Sequence, residues 1–137
     1  MSRHNEITTD EGLEVTLGID QLETFLTADD PDVREYAAGT LAEEASDRPA
    51  DVRSAVASLT DCLEDEPSIR AHAAAALSAV ASDYPAAMRD SVPALLEWLD
   101  GSPAVRTDIA DALASIAVDD PAAIVDAATD VDRKSVV

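Results

Sequence analysis

Apolar positions in this chain recur in a helical rhythm, and the rhythm itself repeats. Val33, Ala37, Ala38, Leu41 and Ala45 are spaced as one stripe of an α-helix. The stripe returns as Ile69, Ala73, Ala74, Leu77 and Ala81, and again as Val105, Ile109, Ala110, Leu113 and Ala117. Each copy stands 36 residues after the last. Pro31, Pro67 and Pro103 keep the same step, as do Arg34, Arg70 and Arg106, and a second set, Pro49, Pro85 and Pro121. A different stripe follows that second set: Val52, Val56, Leu59 and Leu63, then Val92, Leu95, Leu96 and Leu99. Its first copy is Ile19, Leu22, Phe25 and Leu26; its last is Ile124, Val125, Ala128 and Val131, with no second helix after it. Helices are therefore predicted over 17–28, 31–46, 50–64, 67–82, 86–100, 103–118 and 121–131. No segment combines alternation with β-branched residues, so no strand is predicted.

Local chemistry agrees with these boundaries. Proline in the first turn of a helix forfeits an N–H that has no partner there anyway. The acids before it, Asp29, Asp30, Asp65 and Glu66, suit the positive end of a helix. The alanine columns 37/73/109, 38/74/110 and 45/81/117 let neighbouring helices approach, and the leucine column 41/77/113 is expected at the centre. Ile109, the one larger member of its column, is expected to fill space near the C-terminal end. A helix pair of this size cannot bury its apolar face alone, so pairs should stack into one continuous core. The predicted organisation is a polar lead over 1–15, expected to be mobile, a repeat domain over 16–132, and a tail over 133–137. The units cover about 17–46, 50–82 and 86–118, with a terminal half-unit at 121–131.

The segments "FLTADDPDVREYAAGTLAEEA", "CLEDEPSIRAHAAAALSAVA" and "WLDGSPAVRTDIADALASIA" resemble the HEAT-repeat family and its armadillo and phycobilisome-lyase-type relatives. The likeness covers about residues 17–131. It implies an all-α fold, a right-handed α-α superhelix: a short HEAT/ARM-like solenoid of about seven helices. The step of 36 residues is shorter than the ~40–47 usual for that family and lies near the tetratricopeptide period. The Trp, Gly and Tyr landmarks of tetratricopeptides are missing, and that family stays as the alternative. The resemblance also implies that Arg34, Arg70 and Arg106 form a structural ladder, each bonding the acidic turn of an adjacent unit, rather than an anion site. Asp29, Asp30, Glu64, Asp65 and Asp100 are the matching acids.

Charge narrows the partners. The net charge is −20, from 29 acidic and 9 basic residues, and Lys134 is the only lysine. Such a surface repels itself until salt screens it. Many acids, almost no lysine and small apolar residues resemble proteins of halophilic archaea; an acidic interaction protein of an ordinary cell is the competing reading. Nucleic acid and anionic membranes both require a basic surface that this composition lacks. No apolar run approaches the ~20 residues that span a bilayer, and the first residues lack the apolar core of a signal peptide. A cytoplasmic location is expected.

Catalytic signals are sparse. His4 lies in the lead, and His72 stands among alanines. Cys62 shares a column with Leu26 and Trp98, so a buried thiol is expected, and Trp98 is read as packing. No zinc motif, phosphate loop or calcium loop is present, so no cofactor or metal is expected. In the resembled family the second helices line the concave face. The columns Tyr36/His72/Asp108, Gly39/Ala75/Asp111, Thr40/Ala76/Ala112 and Glu43/Ala79/Ser115 are expected to face outward there. Tyr36, Thr40, Glu43, His72, Asp108, Asp111 and Ser115 are the partner-binding candidates, suited to a basic or helical protein segment. The open half-unit near Pro121 could pair two copies as a homodimer. The expected function is a non-catalytic adaptor or scaffold. The alternative is an enzyme-associated, lyase-like domain acting on or chaperoning a partner protein, with a pocket of Tyr36, His72 and an acid such as Asp108.

Overall fold

A computed structural model describes residues 6–8 and 14–135, with side chains from Leu17 to Thr129. Helices α2 (Pro31–Asp47), α5 (Pro67–Asp83) and α7 (Pro103–Asp119) are each 17 residues long and begin on the repeated prolines. The repeat extends to single backbone angles. The residues closing these helices, Arg48, Tyr84 and Asp120, have φ of −141°, −133° and −150°. Their N–H groups donate to the carbonyls of Glu44, Val80 and Ile116 at 2.6, 2.7 and 2.8 Å. The Asp30 carboxylate caps α2 by accepting from the Asp32 N–H at 2.9 Å.

The intervening helices are α1 (Ile19–Phe25), α3 (Pro49–Val52), α4 (Val56–Asp61), α6 (Val92–Glu97) and α8 (Pro121–Ser135). Short 3₁₀ stretches at Arg53–Ala55, Cys62–Glu64 and Pro85–Ser91 complete them. The second and third intervening helices were expected as continuous α-helices over 50–64 and 86–100; both are broken. Pro93 has no N–H for the α-helical bond, which fits the tighter turn before it. The equivalent residue one unit earlier is Ala57, yet that helix breaks at the same place. The break therefore belongs to the unit, and Pro93 is tolerated because of it.

Counted this way, the described residues form seven helical segments in an all-α superhelix of two layers. In one layer α5 packs between α2 and α7; in the other, α1, the α3–α4 segment, the α6 segment and α8 follow in order. The core lies between the layers. Leu41, Leu77, Ile69, Ile109, Leu59, Leu63 and Leu95 have no exposed surface. Two three-residue strands, β1 (Glu6–Thr8) and β2 (Glu14–Thr16), pair antiparallel. They correct the expectation of a strandless lead; the other lead residues, and those of the tail beyond Ser135, lie outside the described ones. Val131 lies outside the described side chains.

Several packing assignments change. Thr40, Ala76 and Ala112 were expected outward, but all three are buried. Ala110 and Ala117 were placed in core columns, yet Ala110 is exposed and Ala117 half-buried, while Ala38, Ala74, Ala45 and Ala81 are buried. These columns face the following unit, and among the described residues no helix of the same layer follows α7. In α8 the same cause leaves Ala128 exposed where Val56 and Val92 are buried. Val125, placed in the apolar stripe, is also exposed and occupies the position of the exposed Arg53 and Arg89.

Candidate functional site

The candidates divide into a groove, an arginine ladder and scattered residues. The groove lies on one face of α2 against α5, with a cavity volume of about 380 Å³. It brings together four of the expected partner residues, Tyr36, Thr40, Glu43 and His72. Asp32, Glu35 and Gly39 complete the lining. Positions 32, 35, 36, 39, 40 and 43 follow helical spacing, so Asp32 and Glu35 were detectable from the same face as Tyr36. Asp32, Glu35 and Glu43 bring three carboxylates to the lining. Gly39 lies under His72: a Cβ there would be 3.5 Å from the imidazole Cε1 and Nε2.

Asp108, Asp111 and Ser115 do not line this groove. They sit on α7, one helix further along the stack. Burial, and then the charge of Asp111, push the Asp108 carboxyl above the ordinary carboxylate range. Among the described residues, no cluster of three or more His, Cys, Asp or Glu groups comes together to hold a metal ion.

The arginine column behaves as a ladder whose rungs differ chemically. The Arg34 guanidinium donates to Asp65 at 2.8 and 3.2 Å, and to the carbonyls of Ala28 and Asp29 at 2.8 and 3.1 Å. Burial pushes Asp65 upward, but Arg34 and the Glu66 N–H outweigh it, so its carboxyl lies below the usual range. Arg70 donates to the carbonyls of Leu63 and Asp65 at 2.7 and 3.0 Å. It then covers the Trp98 ring at 4.1 Å instead of meeting Asp100. Trp98 is thus half-buried as a cation platform of the next unit. Arg106, expected as the third rung, is exposed, and among the described residues no acidic turn meets its side chain.

A second ladder was missed. Arg53 covers the Tyr84 ring at 4.4 Å, and Arg89 bonds Asp120 at 2.9 Å. Donors and acceptors both keep the step of 36 residues, which was the available signal. Cys62 is buried, and its thiol is pushed up to about 11 by burial first and then by Asp65 and Asp61.

No family model matches the chain, and no match is found among curated proteins. The crystal structures of two engineered proteins are similar. One has a TM-score of 0.71 and 29% identity, covering 80% of this chain and 51% of its own. The other has a TM-score of 0.72 and 29% identity, covering 80% of this chain and 30% of its own. The chain thus spans about half the length of the first and under a third of the second. The likeness agrees with an all-helical superhelix. No described helix is long and apolar enough to cross a membrane.

Proposed function

We propose that the chain is a non-catalytic protein-interaction module, an adaptor or scaffold of HEAT-like repeats working in a salt-rich archaeal cytoplasm. The observation that carries this reading is the α2–α5 groove, where Tyr36, Thr40, Glu43 and His72 line one cavity together with Asp32 and Glu35. An acidic concavity between packed helices favours a basic or helical partner segment and speeds its approach. We choose it over the lyase-like alternative, a pocket of Tyr36, His72 and an acid such as Asp108, of which Asp108 lies outside the groove while Asp32, Glu35 and Glu43 line it. The Cys62 thiol, held protonated in the core, supports the same choice.

Recovery of partners in molar salt tests the proposal. Tyr36→Ala, folded to the same melting temperature, should lose a partner that the native chain retains. Equal recovery by both would sink the groove as the binding site. For the salt-rich setting, the melting temperature should climb between dilute buffer and about 2 M KCl, as screening relieves a net charge of −20. A flat response removes that part.

A further inference from the structure

We infer that the α2–α5 groove is a receptor for one arginine side chain of a partner polypeptide, an inference that rests on the interaction reading above. Its first support is a hydroxyl without a partner. Thr40 is only 5% exposed and lines the groove. Helical threonines ordinarily turn their hydroxyl back to a carbonyl one turn earlier. Thr24, Thr60, Thr107 and Thr129 all do so, at 2.7 to 3.0 Å. Among the described residues nothing hydrogen-bonds the Thr40 hydroxyl. A buried hydroxyl left unmatched is costly, and a ligand N–H would satisfy it.

The second support is Gly39. It stands inside α2 where the other two units carry Ala75 and Asp111. Glycine in a helix interior costs about 1 kcal/mol relative to alanine. A Cβ would meet the His72 ring at 3.5 Å, an ordinary contact, so packing does not demand glycine. What glycine leaves is space at the groove.

The ligand's chemistry follows from the rest of the lining. Asp32 and Glu35 supply carboxylates, and Tyr36, 38% exposed, supplies an aromatic face. Carboxylates, one neutral acceptor and a ring suit a planar guanidinium, which forks onto oxygens and stacks on aromatics. The chain already uses that chemistry internally, with Arg53 on Tyr84 and Arg70 on Trp98.

The test is an NMR titration of the full chain with capped Gly-Arg-Gly, its citrulline counterpart, capped Gly-Lys-Gly, and spermidine. The arginine peptide should shift Tyr36, Gly39, Thr40 and His72, and bind about tenfold or more tighter than the uncharged citrulline peptide. Gly39→Ala should fold, melt no lower than the native chain, and bind the arginine peptide about tenfold more weakly. Thr40→Val should weaken it in the same direction. Equal binding of citrulline, an unchanged affinity in both variants, or a preference for lysine overturns the assignment. Tighter binding of spermidine overturns the polypeptide source. If a macromolecular partner stays bound to both variants, the arginine site falls while the interaction module stands; if no partner is retained by the native chain, the module reading falls with it.

Discussion

Leu77→Ala tests the stacking of helix pairs where it is densest. Leu77 has no exposed surface and sits on α5, the helix packed between α2 and α7. Truncating a buried leucine costs about 2–5 kcal/mol, the spread reflecting how far the surroundings collapse into the cavity. Collapse should be poor here. Ala73, Ala74, Ala76 and Ala81 are all buried on the same helix and have no flexible side chain to fill the space. α5 is held from both sides, so its backbone has little room to shift. The expected cost is therefore in the upper part of the range, about 3–5 kcal/mol. Leu113 provides the internal comparison. It occupies the same column but is 8% exposed, on α7, beyond which no further helix of the α2–α5–α7 layer packs among the described residues. Leu113→Ala should cost about 2–3 kcal/mol, because the end of the stack can relax. Urea unfolding measures both. With a slope of about 2 kcal/mol per molar, a loss of 4 kcal/mol moves the midpoint by roughly 2 M. A Leu77→Ala loss below about 0.5 kcal/mol, the size of a surface change, refutes the assignment. So does a greater loss at Leu113 than at Leu77, which would place the centre of the core elsewhere.

Three further outcomes follow from the charged groups and the thiol. Asp108 has a raised carboxyl, so its contribution to stability is complete below the unfolded value and lost as pH rises through the folded one. Asp108→Asn should raise the melting temperature at pH 7 and show less gain on acidification; no rise would contradict the burial argument. Asp65 has the opposite sign: its contribution is present above the ordinary carboxylate value and lost as pH falls through the lowered one. Arg34→Met should flatten this part of the acid limb, and an unchanged limb would show that the Arg34 rung contributes nothing. Cys62, with its thiol near 11 against a usual 9.0, carries about a hundredfold less thiolate than an open thiol. Folded protein at pH 8 should react with a disulfide reagent far more slowly than protein in urea, whereas matching rates would mean the thiol is open.

How much of this was legible depends on what kind of fact a column in the sequence can carry. The repeated prolines placed the starts of α2, α5 and α7 to the residue, because proline is tolerated at a helix start and excluded from its interior. The 3₁₀ stretches were not legible, because apolar residues three and four apart serve both kinds of turn over so few residues. Ala110 and Ala117 mark a different limit. A column reports which way a side chain points, while burial also depends on whether another unit comes to cover it. The same limit separates Arg106 from Arg34 and Arg70, identical in register and different in partners.

The groove shows that departures from a repeat can say more than the repeat. Gly39 and Thr40 were visible only as members of columns otherwise filled by Ala75, Asp111, Ala76 and Ala112. Averaging down those columns suggests a small-residue face, and for Ala76 and Ala112 that is what the packing shows. In the first unit these positions and Tyr36 combine a dispensable glycine, a hydroxyl with no hydrogen-bond partner among the described residues, and an exposed tyrosine. None of the three improves the helix: glycine and threonine are both poorer helix formers than the alanine that would fit. A set of locally unfavourable choices converging on one cavity is what a binding site looks like when it is written into a repeated scaffold. Replacing the first unit's pair with the second unit's, Gly39→Ala with Thr40→Ala, should therefore stabilise α2 while emptying the groove of its function. If the double variant were instead less stable than the native chain, these residues would belong to the packing, and the case for a site would lose two of its three supports.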